Sequence, residues 1–202
     1  MLHSTELGLE GARALPERSA QARATALLER VKAGCPDAFE TLMTEEQPRV
    51  FRTAFALLGN HEDAKDATQD VFLRCFRHRG RLDPGRDPAP WLYRITVNVC
   101  NDLLRRRSRT RWLWRMPGPP RETAPTAERR IQAEEELSIV TDGLKRLAPR
   151  ERAVLVLRDI EGHPTKDVAR MLGSSEVTVR SQLSRARLKL KRHSDRVLGR
   201  EP

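Results

Sequence analysis

Apolar residues recur at helical spacing in two blocks, about residues 22–108 and 134–193. Strand signals are nearly absent: there is no alternating β-branched run and no Asn-Gly hairpin turn. In the first block Ala64, Ala67, Val71 and Cys75 fall on one helix stripe, and Leu92, Ile95, Val99 and Leu103 fall on another. In the second block Val179, Leu183, Ala186 and Leu190 repeat the spacing, and Ala153–Leu157 is apolar on nearly all sides. Between the blocks lies "RWLWRMPGPPRETAPTAERR", whose four prolines and one glycine break helices and build no core. The pattern predicts an all-α protein of two small helical domains, 22–108 and 134–193, joined by a Pro-rich linker at 109–133. Residues 1–21 and 194–202 are expected to be tails.

The second block has the grammar of a helix-turn-helix. Thr165 is placed to cap a helix carrying Val168 and Leu172 on one face. Gly173 suits the C-terminus of that helix, where a left-handed residue is needed. Ser175 suits the N-cap of the next helix, with Glu176 in its first turn. Opposite the apolar stripe of that helix stand Arg180, Ser181, Ser184 and Arg185. Arginine grips guanine bidentately and serine bonds to several base edges, so this face suits a major groove. Arg187, Lys189, Lys191 and Arg192 follow, where phosphates would be met.

The first block makes a different demand. Asp63, Asp66 and Asp70 lie away from the apolar stripe, beside Gln69 and Leu73. Such a stripe repels DNA and suits a basic protein surface, or else is simply solvated. On the following helix Trp91, Arg94, Asn98, Asn101 and Arg105 share one face. Aromatics stack on unpaired bases and Asn and Arg read base edges, while a tryptophan beside a proline loop also serves as plain packing. The loop "RLDPGRDPAP" ahead of it is stiff and placed to present groups to a ligand.

Composition sharpens the class of partner. The chain has 202 residues, 38% hydrophobic and 33% charged, with a formal net charge of +10. That balance favours a polyanion, nucleic acid before membrane. There is no transmembrane run and no secretory h-region, and Cys35, Cys75 and Cys100 match neither a metal spacing nor a disulfide framework. A cytoplasmic protein with reduced thiols, without membrane insertion, metal or other cofactor, is expected. Three aspartates along one helix make a poor two-metal site, and no histidine clusters with a nucleophile, so a nuclease is disfavoured.

Three motifs in order, "DAKDATQDVF", "PWLYRITVN" and "LAPRERAVLVLRDIEGHPTKDVARMLGSSEVTVRSQLSRAR", together resemble an extracytoplasmic-function (ECF, group IV) sigma factor of bacterial RNA polymerase over roughly residues 22–193. The resemblance implies a non-catalytic subunit that binds core polymerase and directs it to promoters, as an alternative sigma for a stress or envelope regulon. It places Asp66, Gln69, Asp70 and Phe72, with Asp63 and Leu73 beside them, against the coiled coil of the largest polymerase subunit. Loop 81–90 with Trp91, Arg94, Asn98, Asn101 and Arg105 would melt and hold the minus-10 element. Arg180, Ser181, Ser184, Arg185 and Arg187 would read the minus-35 duplex, and the second block would also touch the polymerase flap. An anti-sigma factor is the further partner implied. The chain departs from the family pattern at Leu82, where an aromatic is common, and in its basic linker. The competing reading is a stand-alone helix-turn-helix regulator of duplex DNA, which would leave the faces of the first block without a role.

Overall fold

The computed structural model describes residues 21–114 and 139–199, and every regular element among them is helical. Helix α1 (21–32) leads into α2 (Pro36–Leu58) and α3 (His61–Arg77). A short 3-10 turn, Arg79–Arg81, and a loop precede α4 (Ala89–Trp114). The second unit comprises α5 (139–145), α6 (Pro149–Leu155) with a π-helical turn Val156–Ile160, α7 (Thr165–Leu172) and α8 (Glu176–Val197). Two boundaries differ from the sequence expectation. Helix α4 runs six residues beyond Ser108, so 109–114 is helix and not linker, and α8 continues through the expected tail to Val197. Neither stretch contains a proline or glycine to stop it. Linker residues 115–133 and tail residues 1–20 and 200–202 lie outside the described residues.

The predicted stripe of α3 is the core of the first unit: Ala64, Ala67, Val71 and Cys75 are fully buried. Asn60 caps α3, its side chain accepting from the Asp63 N–H at 2.9 Å. Phe72 is a correction to the expected polymerase face. It is 5% exposed and packs edge-on against Phe39 of α2, because it lies one turn from Thr68 and Cys75 on the buried side. Burial also pushes the thiols of Cys75 and Cys100 up to about 12. A smaller cluster of Leu28, Val31, Ala38, Leu42 and Leu82 pins α1 and the start of the loop to α2.

The two units share one continuous core. Buried side chains of α2, α3 and α4 merge with Leu144, Leu147, Ala153–Leu157, Val168, Met171, Val179 and Ala186. Helix α4 packs on α7, and α2 packs on the π-helical turn. This explains why α4 buries Tyr93, Thr96, Val97 and Cys100 as well as Leu92 and Val99, while Ile95 and Leu103 are only half-buried.

Polar groups stitch the join. Arg152 is 6% exposed and donates to the carbonyls of Leu57 (2.6 Å) and Lys145 (2.7 Å). These carbonyls end α2 and α5 and have no intrahelical partner, so one guanidinium caps two helices at the negative ends of their dipoles. Glu161, its side chain 3% exposed, accepts from Thr53 at 2.9 Å and Tyr93 at 2.8 Å, with Arg52 at 3.6 Å.

Candidate nucleic-acid interface

The helix-turn-helix forms through local chemistry. Gly173 takes the left-handed conformation (φ 59°), which stops α7 and lets the Ser174 N–H reach back to the Ala169 carbonyl at 2.9 Å. Ser175 then caps α8, its hydroxyl accepting from the Thr178 N–H at 3.1 Å. Thr165 does not cap α7. Pro164 occupies the N-cap and Thr165 is the first helical residue, without a side-chain cap bond. Val179 and Ala186 are fully buried and Leu183 nearly so, so α8 is held on the stripe read from the sequence. At Gly143, α8 approaches so closely that a Cβ would meet Leu190 Cδ1 at 2.4 Å, so a larger residue there would require the Leu190 side chain to shift.

The outer face of α8 presents Arg180, Ser181, Ser184 and Arg185, all exposed. Arg180 is braced by Glu176 at 3.1 Å, an i, i+4 pair that orients the guanidinium along the helix. Arg185 Nε leans on the Ser181 carbonyl at 3.4 Å. Two of the later cations are used internally. Arg187 binds Asp159 bidentately at 2.8 and 2.7 Å, and Lys189 binds Glu151 at 2.8 Å, tying α8 to the helix beneath it. Arg187 thus departs from its expected place among free DNA contacts: its fork is occupied by a carboxylate from the same unit. Glu151 is held below the ordinary carboxylate range chiefly by its bond from Lys189, and it also accepts from the Ala148 N–H at 3.2 Å.

On α4, Arg94, Asn98 and Arg105 are exposed, Asn101 is half-buried, and Trp91 is half-buried against both clusters. Trp91 thus packs into the core while its outer surface lines two clefts. One of about 440 Å³ joins it to Arg74, His78, Arg81, Arg94 and Asn98. The other, about 450 Å³, runs along Arg81, Leu82, Arg86, Pro88 and Pro90 to Asp167 and Arg170 of α7. Sequence reasoning missed Arg74 and His78, since they belong to α3 and its C-terminus, and only folding brings them beside α4. The loop is fastened by its own aspartates: Asp83 accepts from the Gly85 N–H (3.1 Å) and Asp87 from the Ala89 N–H (2.9 Å).

The α4 face meets the helix-turn-helix unit across a cleft of about 490 Å³. Arg94, Asn98, Asn101 and Arg105 form one wall, and Pro149, Met171, Gly173, Ser174 and Gln182 form the other. The reading face of α8 does not line it.

On α3, Asp66 and Gln69 are exposed and Asp70 half-exposed, with Leu73 at 55% and Phe76 at 39% exposed beside them. Asp63 does not belong to this open stripe: its carboxylate is ion-paired with Arg107 of α4. Phe76 went unread in the sequence. It packs on Phe39 and under the Arg79 guanidinium, with one edge left in solvent. An exposed apolar pair edged by acids suits a protein partner. Among the described residues no group of three or more His, Cys, Asp or Glu is arranged to hold a metal, and no helix is long and apolar enough to cross a membrane.

Two family models match the chain. Sigma-70 region 2 matches residues 42–110, and Sigma-70, region 4 matches residues 137–190. Fold and faces thus define a two-region sigma factor, a class that binds core RNA polymerase and directs it to promoters. Full-length relatives narrow the class. The ECF RNA polymerase sigma factor SigM of Mycobacterium tuberculosis (strain ATCC 25618 / H37Rv) is 36% identical over 160 residues, 79% of each chain. CarQ, an RNA polymerase sigma factor of Myxococcus xanthus, is 30% identical over 171 residues, 81% of this chain and 93% of its own. The chain belongs to the ECF sigma factors of bacterial RNA polymerase. The fold is also that of CnrH, solved in complex with the cytosolic domain of CnrY (TM-score 0.63, 26% identity, 85% of this chain and 97% of that one). RpoE of Bartonella quintana, solved with the anti-sigma factor NepR, has the same fold at TM-score 0.63 and 21% identity, over 78% of this chain and 96% of its own. A stand-alone helix-turn-helix regulator is not favoured, because it leaves the region 2 match over 42–110 without a role.

Proposed function

We propose that the α3 face of Asp66, Gln69, Asp70 and Leu73, extended by Phe76, docks on the coiled coil of the largest polymerase subunit. Loop 81–90 with Trp91, Arg94, Asn98, Asn101 and Arg105 takes the melted minus-10 strand. Arg180, Ser181, Ser184 and Arg185 read the minus-35 duplex. The observation that carries this reading is the separation of the three chemistries on one chain: an acidic and apolar face, a groove-sized arginine and serine face, and clefts where an indole meets arginine and asparagine. Unstacking a base costs a few kcal/mol, and an indole with amide and guanidinium neighbours offers replacement stacking and hydrogen bonds.

The protein performs no catalysis of its own in this reading. It acts in the cytoplasm, touches the polymerase flap through its second unit, and serves an alternative, stress or envelope regulon. Likeness to CnrH and to Bartonella RpoE, each solved with a protein partner, supports control by an anti-sigma factor. The test is run-off transcription with bacterial core polymerase on a pool of genomic promoter fragments. Discrete transcripts that depend on this protein are expected. Duplex binding without any binding to core polymerase would overturn the reading.

A further inference from the structure

Val177 is 71% exposed, more than any other large apolar side chain among the described residues. It is the second residue of α8, directly after the Ser175 cap and Glu176. Single exposed aliphatics are ordinary on protein surfaces and carry no function by themselves. This one has a particular address. Residues 177, 180, 181 and 184 fall at i, i+3, i+4 and i+7, so Val177 begins the line that Arg180, Ser181 and Ser184 continue. At 1.5 Å per residue the line from Val177 to Arg185 spans roughly 12 Å, about the width of a major groove. The N-terminal residues of a recognition helix are those that meet base edges. Val177 does not line the cleft between the two units.

We infer that Val177 is a specificity-determining residue that contacts the C5-methyl group of a thymine in the upstream promoter element. The inference rests on the assignment of α8 to duplex reading made above. In the major groove the thymine methyl is the one apolar feature that distinguishes base pairs, and a branched aliphatic side chain is its natural complement. Neighbouring positions on a helix face lie about 5–6 Å apart, and successive base pairs lie about 3.4 Å apart. The thymine therefore sits within one or two base pairs of the base gripped by Arg180. Val177 is held at χ1 by its β-branch, and the Ser175 cap, whose hydroxyl lies 2.8 Å from that of Thr178, fixes the turn that carries it.

The test replaces each thymine of the upstream element by uracil, one at a time, in a promoter that the complete holoenzyme transcribes. Uracil lacks only the methyl. At one position the wild-type holoenzyme should bind roughly fourfold more weakly on uracil, the worth of one buried methyl. Val177→Ala should be weakened on thymine and lose the thymine preference at that position alone, while Val177→Ile keeps it. Equal thymine-to-uracil ratios for wild type and Val177→Ala at every position, with transcription intact, would overturn the inference and leave the sigma assignment standing. Absence of any transcription dependent on this protein would overturn both.

Discussion

The hydroxyl of Tyr93 on α4 donates to Glu161 Oε2 at 2.8 Å, linking the first helical unit to the second across 68 positions of sequence. Thr53 of α2 reaches the other oxygen of the same carboxylate at 2.9 Å. Burial and the neighbouring carboxylate both raise the tyrosine pKa, so the phenol stays a donor across the physiological range. A buried carboxylate with donors from two helices of the other unit is a clasp between the two units.

Glu161→Ala is expected to loosen this clasp. The Tyr93 hydroxyl loses its partner in a buried join, at a cost of about 1–3 kcal/mol. Small-angle scattering should report a larger radius of gyration for the variant than for the parent, with helix content by circular dichroism unchanged. An unaltered scattering profile would show that apolar packing alone keeps the units together.

Acid should act at the same join through His163. Its ring meets Tyr93 edge-on at 4.5 Å, and burial lowers its pKa from 6.5. Glu161, Asp167 and Asp87 favour its charged form and Arg49 opposes it, yet desolvation prevails. The folded protein therefore prefers the neutral ring, and the unfolded chain takes up the proton first as pH falls. The stability contributed is full above 6.5 and declines as pH drops below it. Urea titrations between pH 7.5 and 5.5 should show that loss, and His163→Gln should flatten it.

Arg152→Ala should be among the most damaging single changes in the second unit. It strands the carbonyls of Leu57 and Lys145 in the core, and each buried acceptor without a donor costs roughly 1–3 kcal/mol. A lowered denaturant midpoint measures the effect. Arg152→Met, which keeps the volume but not the donors, should rescue little of it.

Two sets of surface changes should separate the partners. Arg180→Ala and Arg185→Ala are expected to remove about 1–3 kcal/mol of promoter discrimination each and leave polymerase binding intact. Asp66→Arg should abolish binding to core polymerase and leave duplex binding by the free protein unchanged. Normal capture of core polymerase by Asp66→Arg in a pull-down would remove the α3 face from the interface.

The amino-acid order by itself determined the helices, their buried stripes and the helix-turn-helix. Gly173, Ser175 and the run Val179, Leu183, Ala186 act within a few residues of one another, so their consequences follow from local geometry and spacing. Arg180, Ser181, Ser184 and Arg185 were legible for the same reason, since a face opposite a buried stripe must meet something else. The tertiary structure alone decided what periodicity cannot carry. It buried Phe72 in the main core and left Phe76 partly exposed, although both pack edge-on against Phe39. It tied Asp63 to Arg107 and Arg187 to Asp159, and so engaged two charges of the predicted surfaces within the fold. It merged two expected domains over Glu161 and Arg152, buried charged residues whose partners across the join, Thr53, Tyr93 and the Leu57 carbonyl, lie too far along the chain for spacing to reveal.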